Sequence, residues 1–327
     1  MNIRDALKNR KSPLILDGGF GTMVQSFGLR EEDFRGYRYR DAVGMLSGNN
    51  EMLNLTRPDV VSKIYDAYVA AGADILTANT FSANAVSQAD YNCQELVAEM
   101  NSEAVRLAKE SFRRSGKTGY VIGSVGPTNK SLSISPDIAD PACRSITFDH
   151  LADAYAEQML VLAESGVDAI MLETIFDTLN AKAGIFAARE VMKKTRNDVP
   201  LMLSVTVNDA RGRLLSGQTL EAFLISVSHA KLLSVGLNCS FGADEMLPVL
   251  RSLRRMVDKR KEDGNDEWYV SCHPNAGLPN SMGAYDTTPE MFAGSVMPMV
   301  EEGLADIIGG CCGTTPEHIR VLKEACR

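Results

Sequence analysis

The stretch "GGCCGTTPEH", Gly309 to His318, sets two cysteines side by side, flanks them with glycines and leads straight into a helix. Just before it, "ADIIGGCC" (Ala305 to Cys312) carries the apolar run expected of a strand buried on both faces. Behind it, Ile319, Leu322 and Ala325 recur at helical spacing. Thr314 with Glu317 three residues on predicts a capping box, with Pro316 in the first turn. The unit reads as strand, glycine-rich turn, helix.

The same unit repeats along the chain. Strand-like runs are "LILDGG" (Leu14 to Gly19), "ADILTANT" (Ala73 to Thr80), "YVIGSVGPT" (Tyr120 to Thr128) and "DAIMLETI" (Asp168 to Ile175). The second half has "LMLSVTV" (Leu201 to Val207), "SVGLNCS" (Ser234 to Ser240) and "WYVSCHPNAG" (Trp268 to Gly277) before the last run. Each is followed by a segment long enough for a crossover helix, such as the amphipathic "NCQELVAEMNSEAVRLAKESFRR" ending at Gly116. Eight such units favour an α/β fold of the (β/α)8 TIM-barrel type over an open doubly wound sheet. "GGFGTM" after the first strand has its glycines at the wrong offsets for a dinucleotide fingerprint. With 327 residues and no linker-like tract, residues 1–327 are expected to form a single barrel domain. Two irregular segments, Phe27 to Leu55 and Asn129 to Phe148, leave the C-terminal ends of strands and are expected to cover the barrel mouth.

Composition narrows the function classes. The chain is 45% hydrophobic and 23% charged, as in ordinary soluble domains. A net charge of −8 argues against nucleic-acid binding, which needs clustered cations; the run "RSLRRM" (Arg251 to Met256) reads as one solvated helix face. No apolar stretch is long enough for a membrane span and the N-terminus lacks a signal-peptide pattern, so a cytoplasmic location is expected. Seven cysteines in a reducing compartment point to metal binding or plain burial rather than disulfides.

A barrel brings its strand ends together, and three cysteines lie at those ends: Cys239, Cys311 and Cys312. Zinc accepts thiolates, and a catalytic site keeps three protein ligands with the fourth position open. Adjacent residues of a strand point to opposite faces, so Gly309, Gly310 and Gly313 are expected to let the chain turn both sulfurs inward. The same pair would also serve as two small buried hydrophobes. For a fourth ligand, "CHPNAG" offers His273 or the displaceable amide oxygen of Asn275; Asn275 is preferred, with His273 in a supporting role. Cys93, Cys143, Cys272 and Cys326 lack such context and read as structural. Asp17 and Glu173 end the first and fourth strands, where both can hold an ammonium group or simply cap a loop. Asn79 and Thr80 add neutral hydrogen bonds, and the backbone N–H groups of Gly18 and Gly19 suit a carboxylate. Together these outline an amino-acid pocket beside a thiophilic metal.

The stretches "LDGGFGTM", "GADILTANTF", "GPTNKSLSISPDI", "ITFDHL", "ETIFDTLNAKA", "LSGQT", "GLNCS", "HPNAGLPN" and "GGCCGTTPEHI" span nearly the whole chain. In combination they resemble the homocysteine S-methyltransferase family, and within it the homocysteine-binding module of cobalamin-dependent methionine synthases. The resemblance implies a Zn2+-bearing barrel with the metal on Cys239, Cys311 and Cys312. It further implies that the homocysteine sulfur takes the open position, with the amino-acid end among Asp17, Gly18, Asn79, Thr80 and Glu173. A thiol is mostly protonated at neutral pH and zinc deprotonates it, so homocysteine is expected to react as thiolate toward an electrophilic methyl group. The loop "GPTNKSLSISPDI" resembles the cobalamin-dependent branch, which implies methylcobalamin as methyl carrier. No Asp-x-His-x-x-Gly cobalamin-ligand motif occurs, so the carrier and the folate-binding function are expected on separate partner modules. S-methylmethionine or betaine as donor, or a binding module without turnover, are the alternatives.

Overall fold

Eight short strands stand side by side, all parallel: β1 (Leu14–Ile15), β2 (Ile75–Thr77), β3 (Tyr120–Val125), β4 (Ala169–Ile175), β5 (Leu201–Val205), β6 (Leu232–Asn238), β7 (Tyr269–His273) and β8 (Ile307–Ile308). The computed structural model describes residues 2–280, 283 and 285–327. The sheet runs β1-β8-β7-β6-β5-β4-β3-β2. A parallel bridge from Leu16 to Ile75, with Asp17 N–H donating to the Ile75 carbonyl at 3.0 Å, joins its two ends. The expected (β/α)8 barrel is the observed one.

Each strand leads to a helix on the outside, from Pro58–Ala71 after β1 to Pro316–Ala325 after β8. Alternation along the strands sorts the interior. On β3, Val121 and Val125 join the core between sheet and helices, while Tyr120 and Ile122 join a second cluster with Met171, Met202, Leu233 and Ile307. That second cluster is closed from below by Ile3, Ala6 and Leu7 of the N-terminal helix Ile3–Asn9. The N-terminal segment is thus an apolar plug, and the barrel is packed rather than hollow.

Two expectations need correction. The last helix is capped by Thr315, not Thr314: Thr315 and the His318 side chain form the reciprocal box, and His318 also contacts the Thr287 carbonyl at 3.0 Å. Thr314 is held one step earlier, donating to the Cys311 carbonyl at 2.6 Å and accepting from Gly19 N–H at 3.0 Å. The segment from Phe27 to Leu55 is also more regular than expected. It folds into short helical turns (Glu31–Arg35, Asn50–Met52, Leu53–Thr56), anchored by buried Phe34, Leu46, Met52 and Leu53. Its polar groups go to the loop after β2, where Ser82 N–H donates to Glu51 at 2.8 Å and Asn49 pairs with Gln88. The segment 129–148 is the more exposed of the two, with Ile138 fully solvated, and it is tied down through Ser131 and Ser133 on Asp177.

Candidate active site

The tips of β6 and β8 are not neighbours, since β7 lies between them. The tip of β7 stitches them together. Asn275 N–H donates to the Phe241 carbonyl at 3.0 Å on one side, while Cys311 N–H reaches Pro274 O at 2.8 Å and Ala276 N–H reaches Cys312 O at 2.9 Å on the other. The Asn275 amide oxygen accepts from Cys312 N–H at 3.2 Å. Asn275 is therefore first a splint between the two cysteine loops, with its side-chain oxygen on the Cys312 N–H.

The backbone turn that aims the sulfurs differs from expectation. Gly309 and Gly310 keep ordinary φ; they are needed because a Cβ there would lie 2.7 Å from Leu16 Cβ and 2.5 Å from Thr314. Gly313 is the positive-φ glycine, at +80°, with the Tyr285 ring stacked where a side chain would go. On the β6 side no glycine is used: Cys239 and Ser240 themselves adopt φ of +53° and +63°. Such angles are uncommon outside glycine and need support. The Ser240 hydroxyl gives it, accepting from Val207 N–H at 2.8 Å and pairing with Thr206 at 2.8 Å.

The result is a triangle of thiols. Cys239, Cys311 and Cys312 sulfurs all lie within 4.8 Å of one another, the one such metal-competent cluster among the described residues. Cys239 and Cys312 are 3.8 Å apart, and Cys239 and Cys311 2.6 Å. A tetrahedral zinc with Zn–S bonds of about 2.3 Å sets its sulfurs about 3.8 Å apart. Hydrogen bonds from Cys239 and Cys311, with help from Tyr285, hold the Cys312 thiol down at about 3. The bond from Cys311 pulls Cys239 down, yet Cys312 and burial push it up to about 12. The three thiols are coupled to one another, a bound cation would displace their protons, and the donor set fits a thiophilic metal.

The carboxylates stand at the same end of the barrel. Asp17 accepts from Thr77 N–H at 2.8 Å and from its hydroxyl at 2.9 Å. Burial nevertheless pushes it up to about 8, against those bonds and with Glu173 adding to the rise. Burial also pushes Glu173 up to about 7, opposed by a hydrogen bond from Ser124 and reinforced by Cys312. Burial thus disfavours the charged form of both acids, which an adjacent cation would favour.

The other expected residues divide. Gly18 packs so tightly that a Cβ would meet Thr314 at 2.6 Å and the Tyr68 hydroxyl at 2.9 Å. The Gly19 N–H is already given to Thr314, so it is not free for a carboxylate. Thr80 is wholly buried and donates to the Ser124 carbonyl at 2.7 Å, which makes it part of the wall rather than of a pocket surface. Asn79 spends its amide hydrogens on Asn50 O and Asn54 Oδ1, at 2.8 and 2.9 Å. His273 is buried and pushed down to about 4 by that burial, so it is neutral.

Ser124, at the end of the third strand-like run, binds Glu173. Sequence reasoning missed two residues that shape the site: Tyr285 touches Cys312, and Asn238 bridges β6 to β4. Asn238 takes Thr174 N–H at 3.0 Å and Ser204 hydroxyl at 2.7 Å, and gives a bond to the Thr174 hydroxyl at 2.8 Å. Thr174 has φ +57°, immediately after Glu173. Asn238 directly precedes Cys239, and an amide at that strand end was the signal available in "GLNCS".

Known proteins share this fold. In solved structures the chain is similar to the homocysteine methyltransferase MmuM from Escherichia coli. The oxidised form is 19% identical, with a TM-score of 0.74 over 99% of each chain. The metallated form is 20% identical, with a TM-score of 0.73 over 98% of each. At that identity the likeness carries the fold, and the sequence profile carries the family. The profile of homocysteine S-methyltransferases matches residues 14–326, from the first strand through the last helix, and the chain belongs to that family.

Proposed function

We propose that the chain transfers a methyl group to the thiolate of homocysteine, giving methionine, with methylcobalamin on a separate module as donor. The observation that carries this reading is the thiol triangle of Cys239, Cys311 and Cys312 at the same barrel end as Asp17 and Glu173. Cys239, Cys311 and Cys312 would hold Zn2+, with the Asn275 oxygen within reach of the same corner. Bound zinc supplies a Lewis acid that keeps a substrate thiol deprotonated at neutral pH.

The chain's own residues do the rest. Glu173 and Asp17 receive the substrate ammonium and ionise as it arrives, because an adjacent cation favours the charged carboxylate. Ser124 keeps one Glu173 oxygen in place, and Thr77 does the same for Asp17. Two anchored ends hold the sulfur in a fixed direction, which reduces the entropy cost of an in-line attack. In that attack the sulfur lone pair forms the new S–C bond while the bond from methyl to carrier breaks, leaving its electron pair on the carrier.

The donor assignment rests on "GPTNKSLSISPDI" (Gly126 to Ile138), which runs from the end of β3 into the exposed segment 129–148. Cobalamin- and folate-binding modules are the partners this reading calls for. Among the described residues no helix is long and apolar enough to cross a membrane.

The test is methionine formation from homocysteine by zinc-replete protein, with free methylcobalamin, S-methylmethionine or betaine offered separately and a chelator-treated control. Turnover from methylcobalamin that disappears with the metal supports the proposal. Turnover from S-methylmethionine or betaine alone replaces the donor, and tight homocysteine binding without any product leaves a binding module.

A further inference from the structure

Glu173 has two oxygens in different situations. Oε1 accepts from the Ser124 hydroxyl, whereas Oε2 has no hydrogen-bond partner among the described residues. The nearest cationic or ring nitrogen to Oε2 is Nε2 of His273, 3.9 Å away. His273 is only 3% exposed, and neither of its ring nitrogens has a partner. An unpartnered buried polar group is costly, so such a ring points to a partner gained in another state of the site.

The scaffold leaves Glu173 one freedom. Thr174 is pinned in a left-handed conformation by Asn238, and the β4–β5 register breaks between Leu172 and Ile175. Asn238 in turn is the registered cross-strand partner of His273. Backbone positions on both sides are therefore set, and the side chain of Glu173 is what can move through the gap.

We propose that His273 is a positioning residue for the amino-acid end of the substrate: its Nε2–H closes onto Oε2 of Glu173 and fixes the carboxylate in the orientation that receives the ammonium. This inference rests on the homocysteine reading above. It separates His273 from the metal, since the contact it makes is to the carboxylate. His273 acts only through Glu173, so its effect must require the amino group of the ligand.

The experiment compares homocysteine with 4-mercaptobutyrate, the same thiol and carboxylate without the amine, by calorimetric titration of zinc-loaded wild type, His273→Leu and His273→Gln. Loss of one charge-assisted hydrogen bond predicts about tenfold weaker homocysteine binding by His273→Leu. The same variant should bind 4-mercaptobutyrate as wild type does, with zinc stoichiometry unchanged. His273→Gln, which keeps an N–H donor, should recover most of the loss. Equal losses for both ligands, loss of zinc, or unchanged homocysteine affinity in His273→Leu would each overturn the proposal. Should His273→Leu fail to fold, His273→Gln and His273→Asn carry the same comparison, and a Gln variant weakened equally toward both ligands overturns it. If wild type itself binds no homocysteine, the homocysteine reading falls and this inference falls with it.

Discussion

The two ends of the barrel interior are built on opposite principles. At the lower end Ile3 and Leu7 fill the opening against Met171, Met202, Leu233 and Ile307, all apolar and nearly inaccessible. At the upper end the strand tips carry Asp17, Glu173 and His273, buried groups whose ordinary charge states are suppressed or whose partners are missing. Close apolar packing stabilises the fold at one end. Strained backbone at Thr174, Cys239 and Ser240 and desolvated acids store free energy at the other, where a cation and an ammonium group would release it.

The largest break in that comparison should come from the sulfurs. Cys312→Ser is expected to lose stoichiometric zinc and, with it, several kcal/mol of transition-state stabilisation, on the order of a thousandfold in kcat/KM. Metal analysis beside the methionine assay checks it, and a Cys239/Cys311/Cys312 triple serine variant that retained zinc would refute the metal assignment. Next comes the lower end, where Leu7→Ala removes packing from the plug. A stability loss of about 3 kcal/mol is expected in denaturant titration, with KM and kcat of the folded fraction unchanged.

Asp17→Asn should act in opposite senses on the two properties. The Asp17 carboxyl has a folded-state value of about 8 against an ordinary 3.8. A raised value means that the folded state holds its proton more tightly than the unfolded one, so the contribution is fully present at low pH and is lost as pH rises toward 8. Asp17→Asn should therefore raise the melting temperature of zinc-free protein at pH 8 and flatten its pH dependence, while weakening homocysteine binding about tenfold. In wild type, homocysteine affinity should rise with pH between about 6 and 8 as the carboxyls give up protons. The smallest effect belongs to Tyr285→Phe, which removes one of three hydrogen bonds to Cys312. A two- to threefold change in activity, about half a kcal/mol, is expected, and titration of Cys312 with a thiol reagent in metal-free protein should show a higher pKa.

The upper and lower ends were not equally legible. The plug is not legible in sequence, because a seven-residue helix such as Ile3–Asn9 has no periodicity long enough to announce what it covers. The strand order was accessible, since parallel strands buried on both faces are written as apolar runs and each stops at the residue that enters the site. The capping box moved by one residue because Thr314 had a competing partner, the carbonyl of Cys311, which local pattern cannot reveal.

Residue identity alone pointed to the barrel and set three cysteines and two acids at its strand ends, because each is a local signal: apolar strand runs, thiolate chemistry and a charged group at the end of an apolar strand. Tertiary structure decided the rest. Cys239 and Cys311 stand on strands separated by β7, and they meet only because the tip at Pro274, Asn275 and Ala276 hydrogen-bonds to both loops. Thr80 and Gly19 carry suitable donors in sequence, but long-range partners at Ser124 and Thr314 consume them. A donor hydrogen is given to one acceptor, and which of several competing partners receives it is a property of the folded chain.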